Sequence, residues 1–199
     1  MSIRKNIFNN RIPSIPPGVG KMLVSDPMKT GSIFSHSVIL MIDCEAGKTS
    51  MGLIMNKNTG YTLGELTNLI DKSFRVPLFC GGPVDVDRLF FVHTLGDIIP
   101  GAVRLVNDVY VGGDLSSVVN YIENGYPTDG YIRFFAGYSG WDAGQLDAEM
   151  NENSWTVASP LSDTEILSGE GDAYWHKAVR TLGPDFRSWL YHPQYPSQN

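Results

Sequence analysis

The sequence predicts an α+β domain built on a mostly antiparallel or mixed sheet. Short apolar runs of strand length follow one another across short turns, and helical stretches are interspersed among them irregularly. At 199 residues and 42% hydrophobic content, the chain is long enough to bury one ordinary core. We therefore expect residues 19–199 to form a single α+β domain, preceded by an extended arm over residues 1–18, which lack periodicity and contain three prolines.

Nine segments have the length and composition of strands, being runs of apolar residues bounded by turn residues. In chain order they are GKMLVSDP, HSVILMID, SMGLIMN, VPLFC, RLFFVHT, VRLV, DVYVGG, YIRFFAG and WTVAS.

Helix starts are marked by capping residues. Thr62 and Glu65 have the spacing of a capping box, and the helix that they begin is expected to bury Leu63, Leu66, Leu69 and Ile70. Three further helices are expected from Asp114 to Gly125, from Ser162 to Glu165, and from Asp172 to Leu182.

The segment FFAGYSGWDAGQLDAEM, residues 134–150, is predicted to pass from a buried strand through a turn into a helix. The spacing around Ser139 differs from the G-x-S-x-G nucleophile motif, and Ser139 precedes the helical pattern, which favours a capping role. Asp142, Gln145 and Glu149 share one helical face. That face is either a solvated acidic surface or a pair of carboxylates for acid–base chemistry, and Trp141 either packs in the core or stacks on a ligand.

Two other segments are candidates for a binding surface. Asn56 and Lys57 end an apolar run, where they either line a pocket mouth or form a solvated turn. Gly81 and Gly82 precede a proline and fit neither common Gly-rich phosphate motif, which favours a tight backbone turn.

Charge and composition exclude several classes of function. The formal net charge is -6, and residues 134–175 contain eight acidic and no basic residues, which opposes direct binding to a DNA backbone. Two cysteines are too few for a disulfide framework, no signal segment or apolar run of membrane-spanning length is present, and the four histidines lack metal-ligand spacing. We expect a cytoplasmic protein with no cofactor, no metal site and no membrane partner.

The order of several motifs resembles the AlgH-like family of bacterial proteins, also called YqgE-like. GKMLVSDPM, IFSHSV, GLIMNK, GGPV with RLFFVH, and GYSGWDAGQLDAEM occur in this order over roughly residues 18–185. The resemblance implies a strongly bent sheet approaching a barrel, with helices packed outside, and it brings no catalytic residues. Family members often have arginine at the position of His36 and arginine-proline at Lys57-Asn58, so a mechanism that needs a guanidinium there does not carry over to this chain.

The preferred hypothesis is a non-enzymatic binding or regulatory module that acts on a small molecule or a protein partner. Its surface is expected to include Asn56, Lys57, Gly81, Gly82, Tyr138, Trp141, Gln145 and Glu149, because polar and glycine residues gather at strand ends. Two alternatives remain open. One is the family's label of transcriptional regulator, acting indirectly through a protein partner, and the other is a hydrolase that uses Asp142 or Glu149.

Overall fold

The computed structural model describes residues 15–28 and 32–192. Within these ranges the strands are β1 Met22–Ser25, β2 Val38–Cys44, β3 Ser50–Ile54, β4 Asn58–Thr62, β5 Pro77–Cys80, β6 Val84–His93, β7 Val103–Val106, β8 Val109–Val111, β9 Ile132–Trp141 and β10 Trp155–Ala158. The helices are α1 Leu63–Leu66, α2 Leu115–Glu123, α3 Gln145–Asn151, α4 Asp163–Ile166 and α5 Gly171–Thr181, and a 3-10 helix follows at Pro184–Tyr191.

The strands pair in the order β10-β1-β2-β3-β9-β6-β8-β7, and β5 pairs with both β4 and β9. β5 runs parallel to β9, whereas the other described pairs are antiparallel. The sheet curls into a half-barrel. The predicted α+β class with a mostly antiparallel, strongly bent sheet is therefore confirmed.

Each of the nine predicted strand segments overlaps an observed strand, but the prediction missed β4, the first four residues of β6 and the last four residues of β9. β4 has the polar sequence NTGYT, which was interpreted as a turn, and it is held at the edge by pairing with β5. β9 continues through Ser139 to Trp141 because its last three residues pair with Ser50–Gly52 of β3. The predicted capping role of Ser139 is wrong, and α3 begins only at Gln145.

Capping residues correctly predicted the starts of three helices. The Thr62–Glu65 and Ser162–Glu165 capping boxes are both formed, and Asp114 accepts a hydrogen bond from the Ser117 amide at the start of α2. The first helix is only four residues long, so the expected burial of Leu66 is wrong: its side chain is 55% exposed.

The core consists of three clusters of buried apolar side chains, one of which includes Trp175 of α5 against β1 and β2. Among the residues described, no helix combines the length and apolar content needed to span a bilayer. Residues 1–14 of the predicted arm lie outside the described ranges. β3 positions several of the predicted binding residues. Its first residue, Ser50, pairs with Trp141, and Asn56 lies two residues beyond its last residue, Ile54.

Candidate functional site

The residues predicted for one binding surface fall into three places along β3. Trp141 pairs with Ser50, the Gly81 carbonyl accepts from the Ile54 amide, and Asn56 lies two residues beyond Ile54. At about 3.3 Å per extended residue, Trp141 and Asn56 are roughly 20 Å apart. The candidates therefore form three groups: Asn56 with Lys57; Gly81 and Gly82 with Tyr138; and the Trp141 group, which consists of Trp141, Gln145 and Glu149.

The Gly81-Gly82 segment is where the chain crosses over β9. β5 lies on one side of β9 and β6 on the other, yet only residues 81–83 connect them. A side chain on Gly81 would meet the Gly137 carbonyl, and one on Gly82 would meet the Tyr138 backbone. The Ser139 hydroxyl donates to the Gly81 carbonyl at 3.1 Å. These contacts give both glycines an architectural role.

Tyr138 lies beside this crossing, half-buried in β9. Its ring makes an edge-to-face contact with Phe90, with ring centroids 5.7 Å apart. The tyrosine therefore packs against β6. Among the contacts of the described residues, none joins Tyr138 to Asn56 or Gln145.

Trp141, Gln145 and Glu149 do come together. One Glu149 carboxylate oxygen accepts from the indole N–H groups of Trp141 at 3.1 Å and Trp155 at 2.6 Å, and the other accepts from Gln145 Nε2 at 3.0 Å. Gln145 is exposed, and its amide oxygen accepts from the Asp142 N–H at 3.0 Å. The carboxylate thus ties α3 to two tryptophans of the sheet, and both of its oxygens accept hydrogen bonds.

We expect Glu149→Gln to lower the free energy of unfolding by about 1–3 kcal/mol, because a neutral amide oxygen accepts the two indole N–H groups more weakly than a carboxylate oxygen does, and the new NH2 group faces the Gln145 NH2 donor. Urea unfolding followed by tryptophan fluorescence measures the loss. Glu152→Gln, at an exposed glutamate just after α3, is the matched control and should change little. Equal stability of the two variants would contradict the tethering role of Glu149.

Asn56 is a buried hub between three segments. Its side-chain oxygen accepts from the Val38 amide at 3.0 Å, and its NH2 group donates to the carbonyls of His36 at 2.8 Å and Gly171 at 3.0 Å. Its own carbonyl accepts from the Gly171 amide at 2.8 Å. These bonds fix His36 and the start of α5 beside the end of β3.

His36 is fully buried, and its ring is held on two sides. The imidazole stacks on the Trp175 indole with centroids 4.0 Å apart and planes 4° apart, and Nδ1 lies 3.1 Å from the Asp172 carboxylate. A carboxylate accepts, so Nδ1 carries the proton and Nε2 of the neutral ring presents a lone pair. Among residues 15–28 and 32–192, no polar atom forms a hydrogen bond with Nε2.

Burial governs the protonation of this histidine. Desolvation lowers the pKa of His36 from its ordinary value of 6.5, while the Asp172 carboxylate opposes the shift and His176 and Lys57 add to it. His36 also adopts a positive φ of 47°, an uncommon conformation for a residue with a side chain. A neutral ring is thus placed in a fixed orientation, with Nε2 as an acceptor.

Lys57 brings a cation to the same place. Its Nζ donates to the Ser35 carbonyl at 2.6 Å, one residue before His36. Burial lowers the pKa of Lys57, and Asp172 opposes that shift. We call the group Ser35, His36, Asn56, Lys57 and Asp172 the His36 site. Of the sequence-predicted residues, it contains Asn56 and Lys57.

The comparisons with known proteins decide the family. The sequence profile described as AlgH-like matches residues 22–187. The chain belongs to the AlgH-like family. Among similar AlgH-like sequences, a UPF0301 protein of Parabacteroides distasonis is 39% identical over 100% of both chains, and one of Bacteroides thetaiotaomicron is 37% identical over 100% of both.

Two solved structures share the fold of this AlgH-like chain. A crystal structure of a Corynebacterium diphtheriae protein aligns with a TM-score of 0.72 at 20% identity, covering 91% of this chain and 95% of the other. The solution structure of the AlgH protein from Pseudomonas aeruginosa aligns with a TM-score of 0.68 at 21% identity, covering 92% and 98%.

Arg133 is a residue of the AlgH-like chain that sequence reasoning missed. The side chain is buried, and it donates to the carbonyls of Met55 at 2.6 Å, Leu167 at 2.8 Å and Gly169 at 3.0 Å. Its guanidinium lies 4.1 Å from the centroid of the Phe79 ring. Arg133 therefore braces the residue before Asn56 against the loop that leads into α5. The sequence does contain a sign of this role, because Arg133 lies inside the apolar run YIRFFAG, and an arginine that is buried in a strand needs hydrogen-bond partners.

The remaining histidines and acids differ from the His36 site in how they are paired. Within the part of the chain that the structure describes, no group of three or more His, Cys, Asp or Glu side chains is placed to hold a metal ion. His93, the other buried histidine, bonds the Gly112 carbonyl through Nε2 at 3.0 Å and the Leu95 amide through Nδ1 at 3.1 Å. Both nitrogens of His93 form hydrogen bonds, whereas of the two nitrogens of His36 only Nδ1 has a partner among the described residues.

Proposed function

We propose that this AlgH-like protein is a ligand-binding module that holds a small polar molecule at the His36 site. The observation that carries the proposal is the buried Nε2 of His36, which forms no hydrogen bond within the described residues. Buried polar atoms in folded proteins are almost always paired, with protein, water or ligand. A ligand O–H or N–H donating to Nε2 would complete the pairing of the ring.

The surroundings of Nε2 define the ligand further. Lys57 places a positive charge beside Ser35 and His36. This charge would attract an anionic or electron-rich oxygen that the ligand carries next to its O–H or N–H donor. Asp172, which is bonded to Nδ1, has a 39% exposed side chain, whereas the His36 ring is fully buried, so a ligand reaches Nε2 only when a neighbouring side chain moves aside. The ligand class is a small molecule that carries a hydroxyl or N–H donor beside an anionic group, such as a phosphorylated sugar or a hydroxy acid.

The rigidity of the site favours binding in a fixed orientation. Trp175 fixes the plane of the imidazole, Asp172 fixes its tautomer, and Asn56 fixes the backbone that carries it. Because the ring is already held in one orientation, the imidazole itself loses little conformational entropy when a ligand binds to Nε2.

We expect a thermal-shift screen of phosphorylated sugars, hydroxy acids and nucleotides to find a compound that stabilises the protein. His36→Phe keeps the stack on Trp175 but removes Nε2, and it should raise the Kd of that compound at least about fivefold, as should Lys57→Met. His192→Phe, at an exposed histidine, and Gln145→Ala, in the Trp141 group, serve as controls with unchanged Kd.

The pH dependence provides a second readout of the same proposal. Because burial lowers the pKa of His36 from its ordinary value of 6.5, the ring is mostly neutral at pH 7 and gains a proton as the pH falls through that lowered pKa. Protonation turns Nε2 from an acceptor into a donor, so affinity should fall with acidification. Affinity that is unchanged in His36→Phe, or the absence of any stabilising compound in the screen, would count against the proposal.

One further activity has a specific observation in its favour. An imidazole oriented by a carboxylate at 3.1 Å, with an accepting Nε2, is also the arrangement of a general base. Turnover of the bound compound, followed by NMR, would reveal such chemistry. Asp172→Asn should then lower the rate more than it weakens binding, whereas a compound that stays intact assigns the site to binding alone.

A further inference from the structure

An open cleft of about 650 Å³ lies beside α2, away from the His36 site. Its walls come from the loop after β6, the outer face of α2 and the loop after α2, and they include Ile98, Asn120, Tyr121, Asn124, Tyr126 and Tyr131. This volume is within the range of ligand sites in proteins, roughly 300–1,000 Å³. None of its lining residues takes part in the contacts described above for the His36 site.

Three tyrosines give the cleft its chemical character. Tyr121 and Tyr126 are stacked with ring centroids 5.1 Å apart, and the Tyr121 hydroxyl donates to the Pro127 carbonyl at 2.9 Å, which fixes that ring. Tyr126 and Tyr131 are 58% and 45% exposed. Aromatic faces carry negative electrostatic potential and attract cations such as guanidinium and ammonium groups.

The charged residues around the cleft also favour a cation. Residues 94–132 contain five carboxylates and a single basic residue, Arg104, which pairs with Asp108 at 2.8 Å. Three exposed acids adjoin the lining segments: Asp97 precedes Ile98, Glu123 precedes Asn124, and Asp129 lies two residues before Tyr131. The C-terminal end of α2, where the dipole is negative, is also in the cleft wall. A cationic occupant is complementary to all of these features.

We propose that this cleft binds a segment of a partner protein that presents an arginine or lysine side chain to the tyrosines. Ile98, 53% exposed, continues the apolar surface past the aromatic rings, so the occupant extends beyond a single cationic group. The side-chain amides of Asn120 and Asn124 and the tyrosine hydroxyls supply acceptors for guanidinium N–H groups. This function is separate from ligand binding at the His36 site and does not depend on it.

The test is an NMR titration of the whole protein with acetyl-Leu-Arg-Leu-amide and with the same peptide carrying citrulline, a neutral isostere, in place of arginine. The arginine peptide should shift the backbone amide resonances of Asn120, Asn124 and Tyr126, and the citrulline peptide should bind at least about threefold more weakly. Raising the salt concentration should weaken the arginine peptide only.

Exposed tyrosines allow matched variants that should fold normally. Tyr126→Leu should raise the Kd of the arginine peptide about two- to fivefold, whereas Tyr126→Phe, which keeps the aromatic face, should leave it unchanged. Tyr61→Leu, at a tyrosine that is 55% exposed outside the cleft, is the control. The proposal is overturned by equal binding of the citrulline peptide, by shifts confined to other surfaces or no shifts at all, or by ethylguanidinium alone binding as tightly as the peptide.

Discussion

We expect Gly82→Ala to lower the free energy of unfolding by at least about 3 kcal/mol, because the new methyl group would overlap the backbone of β9. The atoms it would meet are the Tyr138 carbonyl and the Ser139 nitrogen, which belong to a central strand and are fixed by its pairing. A flexible side chain could move aside, but a paired backbone moves only if the ladder is broken. Since small domains are stable by only about 5–15 kcal/mol, such a loss should also reduce the yield of folded protein.

Urea unfolding followed by tryptophan fluorescence measures this effect, and Gly81→Ala should behave similarly because its Cβ would meet the Gly137 carbonyl. Gly18→Ala is the matched control, since the nearest atom to an added Cβ there is the Lys21 Cγ at 4.0 Å and no backbone obstructs it. If Gly82→Ala unfolds at the same urea concentration as Gly18→Ala, then the crossing tolerates a side chain and the architectural role of Gly82 is incorrect.

Which parts of the fold could be predicted depends on how far apart in the sequence the interacting residues are. Capping boxes at Thr62 and Ser162 and the cap at Asp114 are decided by residues three positions apart, so the sequence reports them directly. Ser139 has the local features of a cap as well. Its actual state depends on β3, almost ninety residues earlier, and on the Gly81 carbonyl, so a local pattern could not predict it.

The same limit applies to the His36 site. Asn56 and Lys57 could be selected because polar residues at the end of an apolar strand often have a functional role, and that selection identified two of the five residues of the site. His36 and Asp172 are separated by 136 positions and meet only because α5 packs on β1 and β2. The resemblance to the AlgH-like family drew attention to His36 as a departure from arginine, without indicating its partner.

We expect Asn56→Asp to cost about 3 kcal/mol or more of unfolding free energy, although it changes one NH2 group into an oxygen. The NH2 group donates to the His36 and Gly171 carbonyls, so the variant would place one carboxylate oxygen against two carbonyl oxygens in a buried site. A buried polar atom without its partner costs about 1–3 kcal/mol, and a buried charge costs more. The exposed Asn68→Asp carries the same change in charge and should be nearly neutral.

The consequence should extend to function, because Asn56 connects the two segments that form the His36 site. If the carbonyl of His36 is repelled, the ring loses its fixed position between Trp175 and Asp172, and Nε2 is no longer presented in one orientation. Under conditions where the variant is still folded, ligand affinity should therefore fall by at least about fivefold, a loss of about 1 kcal/mol. A variant that is destabilised yet binds with unchanged affinity would show that Asn56 supports the fold only, and would separate the stability of this end of β3 from its binding activity.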